Sequence, residues 1–156
     1  LYEIGDKVVH PNHGAGIIEQ IKVQSKEKVY VLRVLVGSMT VQIPAGSVEK
    51  IGIRPIICCE EADRLLDFIR ELEVTQDESW NKRCRHNMER LKSGDVTEVA
   101  YVVKSLTQRN RVKALSTGEK KIFNSANAII TSEIALAKNV SYETAEELLN
   151  SALEDE

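Results

Sequence analysis

The apolar positions of this chain change their period near residue 53. Before that point they alternate, or run in short β-branched stretches bounded by turn residues, as half-buried strands do. Lys7-Val8-Val9-His10 leads into a turn at Pro11-Asn12-His13-Gly14, and a second run covers residues 16–23. The polar tip Ser25 to Lys28 precedes Val29-Tyr30-Val31-Leu32-Arg33-Val34-Leu35-Val36, which is apolar enough for a central strand. Gly37-Ser38 closes a tight turn into Met39-Thr40-Val41-Gln42-Ile43, and Pro44 stops that run. Proline has no amide hydrogen for a ladder, so this strand belongs at a sheet edge. Val48-Glu49-Lys50-Ile51 reads as a last short strand. Five short strands of this kind predict a small, strongly bent β-barrel of the SH3 or Tudor type over residues 1–53.

Residues 54–58, stiffened by Pro55, read as a linker. From residue 59 to 156 apolar side chains recur at helical spacing and predict a compact bundle of about five α-helices. Ala62, Leu65, Leu66, Ile69 and Leu72 give the first its inner face. Trp80, Cys84, Met88 and Leu91 give the second, which starts from Asp77 as N-cap or from a Thr75/Glu78 capping box and ends at Ser93-Gly94. Asp95 with Glu98 opens the third, Ser116 with Glu119 the fourth, and Ser141 the fifth. The fold class expected is α+β in two domains.

Composition adds limits. A chain of 156 residues with 42% hydrophobic content holds one medium domain or two small ones. The three cysteines, Cys58, Cys59 and Cys84, form neither a disulfide framework nor a C-x-x-C zinc pattern, so a reduced, cytoplasmic setting is expected. There is no apolar run of about eighteen residues, hence no expected membrane span. The N-terminus lacks the features of a signal peptide and has no Met, so the natural first residue is expected to be missing or processed. A search for chemistry finds no nucleotide loop, nucleophile elbow or dinucleotide fingerprint. His10 and His13 share a turn without a third ligand type, so neither metal nor cofactor is expected. Gly14-Ala15-Gly16 reads as turn geometry.

The net charge of -3 conceals segregation. Residues 60–78 are mainly acidic, 80–92 and 104–121 basic, and the tail acidic again. Two basic blocks in the helical half could form a phosphate-binding surface, or each could be an ordinary solvated face. The block at 80–92 carries the chain's single tryptophan with Lys82, Arg83, Arg85, Arg90 and Lys92. An indole in the first turn of a helix, flanked by arginines, suits a DNA minor groove or an unstacked base step. Periodicity alone leaves open that Trp80 anchors the core instead.

Several segments together resemble the CarD/CdnL family of bacterial transcription regulators. They are Gly5-Asp6-Lys7-Val8-Val9-His10-Pro11-Asn12-His13-Gly14, Leu32-Arg33-Val34 and Thr40-Val41-Gln42-Ile43-Pro44-Ala45 in the first half. In the second they are Trp80-Asn81-Lys82-Arg83, Leu91-Lys92-Ser93-Gly94-Asp95-Val96, Val99-Ala100, Leu115-Ser116 and Gly118-Glu119-Lys120-Lys121. The resemblance covers essentially the whole chain. It implies a Tudor-like domain that docks on the RNA polymerase β subunit through Gln24, Val41, Gln42, Ile43 and Pro44. It also implies a helical domain on promoter DNA near the upstream edge of the melted region, with Trp80 as a minor-groove wedge that stabilises the open complex. Its DNA-contacting cations fall on Lys82, Arg83, Arg85 and Lys120, with Lys121 adjacent. Well-known members carry arginine where this chain has Gln42, and a basic residue near Gln24, so docking here is expected to rest on backbone pairing and on Val41 and Ile43. A monomer without catalytic activity is expected. The competing expectation is a protein-interaction adaptor that binds through its acidic segments and buries Trp80.

Overall fold

A computed structural model describes residues 1–75 and 79–154. The first half is a five-stranded antiparallel sheet of β1 (Lys7–His10), β2 (Gly14–Gln24), β3 (Glu27–Val34), β4 (Thr40–Pro44) and β5 (Arg54–Pro55), in the order β4-β3-β2-β1-β5. The β2–β3 register slips between Ile18 and Gln20, a bulge that bends and twists the pair. Val8, Ile18, Tyr30, Leu32, Val34 and Ile43 fill the concave face, with Val48 and Ile53 closing it. The expected barrel is hydrogen-bonded as a sheet with two edges: among the described residues no ladder joins β4 to β5.

The predicted last strand is instead a single helical turn, α1 (Val48–Ile51), ended by Gly52 at φ +94°. The edge strand is β5, inside the expected linker, where Val9 pairs with Arg54 and Val8 with Pro55. The chain therefore has six α-helices among its described residues where about five were expected. The others are α2 (Cys59–Glu71), α3 (Trp80–Lys92), α4 (Val96–Val112), α5 (Thr117–Lys138) and α6 (Tyr142–Leu153).

Local chemistry sets where the helices begin. Asp95, Ser116 and Ser141 each accept a backbone N–H from the first turn of α4, α5 and α6. Helix α2 is opened by Cys58, whose sulfur accepts from the Glu61 amide while the Glu61 carboxylate accepts from the Cys58 amide. The N-cap of α3 is Ser79, not Thr75; the Asp77 and Glu78 alternatives lie outside the described residues.

Helix α5 is the element on which both halves rest. Its residues 129–135 are buried on every side, because one face meets α2, α4 and α6 while the other lies on the sheet. The glycines Gly14 and Gly16 make that approach feasible. Gly14, at φ +86°, lies under α5 so closely that a Cβ would stand 2.9 Å from the Ser132 hydroxyl; at Gly16 it would stand 2.4 Å from the Arg33 carbonyl of β3. The Ala15 amide donates to Ser132 Oγ at 2.9 Å, and Val9 and Ala15 belong to the helical core. Glu133 accepts from Nη1 and Nη2 of Arg54, each at 2.7 Å, and from the Ile57 amide at 2.9 Å. The segment expected as a linker is thus pinned to α5, and Ile56 and Ile57 pack on the helical core.

Candidate nucleic-acid interface

Helix α3 turns Arg83, Asn87 and Leu91 inward, with Cys84 partly covered. That face differs from the expected stripe of Trp80, Cys84, Met88 and Leu91: Met88 is 36% exposed and Trp80 50%. Helical spacing could not separate the two faces, since a buried arginine stands where apolar residues normally would. A Trp80 buried in the helical core, as the adaptor expectation required, is contradicted by this exposure.

The start of α3 lies against the start of α5. The indole Nε1 of Trp80 donates to Ser116 Oγ at 3.2 Å, and its ring lies beside Gly118. Ser116 accepts the Glu119 amide at 3.2 Å as N-cap, and its own hydroxyl points at Glu119 Oε1 at 3.4 Å. Glu119 is 2% exposed and is held by Arg83, itself 5% exposed, through Nε at 2.8 Å and Nη2 at 3.2 Å. The Arg83 hydrogen bond, then the charges of Arg83 and Arg109, hold the Glu119 carboxyl below its usual range despite burial. Burial, with the Glu119 charge, pushes the neighbouring Cys84 thiol up.

Arg83 was expected to contact DNA, and this is the main correction at the site: its guanidinium is inside, satisfying a buried carboxylate. The other expected cations, Lys82, Arg85, Lys120 and Lys121, are exposed and make no ion pair among the described residues. Lys82 stands in the first turn of α3, with Arg85 one turn on. Lys120 closes the first turn of α5 and Lys121 follows it. The two helix N-termini add their own positive potential to this rim.

Much of the second basic block serves the fold. The Lys104 ammonium is buried and donates to the Ile69 and Arg70 carbonyls at the end of α2. Arg111 donates to the Leu153 carbonyl at the end of α6 at 2.9 Å. Both positions complement a helix C-terminus. In the first block, Arg90 lies 4.2 Å over the Tyr101 ring and 3.4 Å from Glu98.

On the sheet, β4 is an edge that among the described residues pairs only with β3, Gln42 opposite Val31. Gln42 faces solvent, and Val41 and Pro44 are half-buried. Ile43 is 1% exposed in the sheet core, so its side chain cannot supply the expected docking contact. Gln24 is exposed at the β2–β3 tip opposite Glu27, near the Pro44 end of β4 but two strands over. Sequence reading missed Arg54, Ser132 and Glu133 as the seam. The available signal was Glu133 itself, an acid amid the apolar residues Ile129, Ile130 and Ile134.

Comparison with known proteins fits this two-part construction. The chain joins a CarD-like/TRCF RID domain, matched over residues 2–57, to a CarD C-terminal domain, matched over residues 64–150. It belongs to the CarD family. It is 32% identical over 144 residues to a protein of Bacillus subtilis (strain 168) named "Putative transcription factor YdeB", covering 90% of this chain and 94% of that one. Among the described residues no helix is long and apolar enough to cross a membrane.

Proposed function

We propose that this chain regulates transcription initiation by docking its sheet on the β subunit of RNA polymerase and holding promoter DNA at the upstream edge of the bubble. The sheet is read as a Tudor-like module whose free β4 edge pairs with a polymerase strand, with Gln42 and the Gln24 tip flanking the contact. Val41 and Pro44 border it, while Ile43 packs into the sheet core beneath.

The observation that carries the reading is Trp80, half out of the protein where the N-terminal ends of α3, bearing Lys82 and Arg85, and of α5, bearing Lys120 and Lys121, meet. This is a stacking surface with a phosphate-binding rim. An indole inserted into a partly opened duplex shifts the closed–open equilibrium by its differential binding alone. Stacking of about 1–3 kcal/mol per base would lengthen the life of the open complex by roughly ten- to a hundredfold. The cations position the indole and carry little sequence information. Free DNA is therefore bound weakly and salt-sensitively, and binding becomes firm once polymerase presents the promoter.

A photo-crosslinking amino acid in place of Trp80 tests this contact. With polymerase and promoter present, crosslinks to DNA at the upstream edge of the bubble are expected; crosslinks to protein alone would favour an adaptor.

A further inference from the structure

We propose that Ser116, backed by the buried Glu119–Arg83 pair, is the positioning residue that fixes the orientation of the Trp80 indole. This inference rests on the reading of Trp80 as a wedge and names what holds the wedge.

The hydroxyl of Ser116 has two lone pairs and one proton. One lone pair takes the Trp80 Nε1–H at 3.2 Å, the other takes the Glu119 amide at 3.2 Å, and the proton faces Glu119 Oε1 at 3.4 Å. Every bonding capacity of the hydroxyl is in use, so it has no low-cost alternative rotamer. Glu119 is equally constrained: both its oxygens take Arg83, and Arg109 Nε stands 3.9 Å away. The chain of contacts runs from a buried ion pair, through one hydroxyl, to an indole half in solvent. Beside the ring is Gly118, which has no side chain to hold the indole in place. Ser116 is thus the polar restraint on a side chain whose outer half is free.

A wedge that is already oriented does not lose rotamer freedom when it inserts. Ordering one such side chain at an interface corresponds to a factor of roughly 2–10 in binding. Loss of the Ser116 hydroxyl should therefore shorten the open-complex lifetime by about that factor, while Trp80→Ala removes the whole effect.

The chain has one tryptophan, so indole motion can be read directly in the full-length protein. Ser116→Ala should lower the residual fluorescence anisotropy of Trp80 and shorten the open-complex lifetime, and Ser116→Thr should restore both. Because Ser116→Ala also removes an N-cap, Ser141→Ala serves as the matched control: it uncaps α6, away from the indole. It should lower thermal stability comparably and leave both readouts at wild-type values. Unchanged indole anisotropy in Ser116→Ala would overturn the inference, as would Ser141→Ala reproducing the change. A looser indole with an unshortened lifetime, where Trp80→Ala does shorten it, would overturn positioning but keep the wedge. If Trp80→Ala itself leaves the lifetime unchanged, the wedge reading falls, and the positioning role built on it falls too.

Discussion

Arg54 and Glu133 are bonded through both terminal guanidinium nitrogens and both carboxylate oxygens, each at 2.7 Å, across the seam between sheet and helices. Glu133 has no exposed surface, and the Ile57 amide adds a third donor. Swinging the sheet away from α5 would strand that carboxylate without partners, at a cost far above thermal energy. The two halves therefore move as one body, and a sheet docked elsewhere would carry Trp80 to a fixed place.

Arg54→Ala should accordingly cost about 3–5 kcal/mol, the range for breaking a buried pair by removing one partner. Urea denaturation measures it. A loss below about 1 kcal/mol, typical of a surface pair, would mean that the seam is solvated.

Arg83 distinguishes a fold role from a DNA role. Arg83→Ala leaves Glu119 buried without its main partner and should also cost about 3–5 kcal/mol in urea. Lys82→Ala, one residue earlier and exposed, should change stability by no more than about 0.5 kcal/mol. Equal stability of the two variants would return Arg83 to the surface.

What was legible in the sequence divides along range. Asp95, Ser116 and Ser141 marked helix starts because an N-cap acts within four residues of chain. The switch from strands to helices was legible because periodicity is also local. Val48–Ile51 was misread because four residues cannot distinguish a strand from one helical turn. Arg83 was misread as a DNA contact because Glu119 lies 36 positions away in the chain. Lys104 was counted as surface charge although its ammonium reaches the carbonyls that end α2. Gly14 and Gly16 read as a turn; their use, letting a helix and a strand approach closely, exists only once the fold is formed. At the candidate site Trp80 was found from its flanking cations, whereas its contact with Ser116 depends on two helices meeting.

His10 gives the chain a pH dependence. Its Nδ1 accepts the Asn12 amide at 3.0 Å, which requires a deprotonated nitrogen, and the His13 ring lies 4.6 Å away. Burial first, and His13 second, push its pKa down to about 4. The unfolded chain takes up this proton below about 6.5, while the folded protein resists until about 4. This contribution to stability is full above pH 6.5 and is lost as the pH falls toward 4. With allowance for nearby solvent it amounts to roughly 2 kcal/mol. His10→Asn, which keeps an acceptor without titrating, should flatten the stability profile across that window relative to wild type; parallel profiles would contradict the assignment.

The central claim is that Trp80 acts on DNA from a body fixed to polymerase. The direct measurement is the lifetime of the open promoter complex with the cognate polymerase, comparing wild type, Trp80→Ala, and a variant with Lys82, Arg85, Lys120 and Lys121 changed to Gln. Deleting residues 1–53 is a poor comparison, because it would bare the face of α5 on which Gly14 and Ala15 lie. The account predicts that wild type lengthens the lifetime roughly ten- to a hundredfold and that Trp80→Ala returns it to that of polymerase alone. The charge variant should lengthen the lifetime less than wild type at low salt, and its effect should vary less with salt than that of wild type. A Trp80→Ala protein that lengthens the lifetime as well as wild type does would contradict the account.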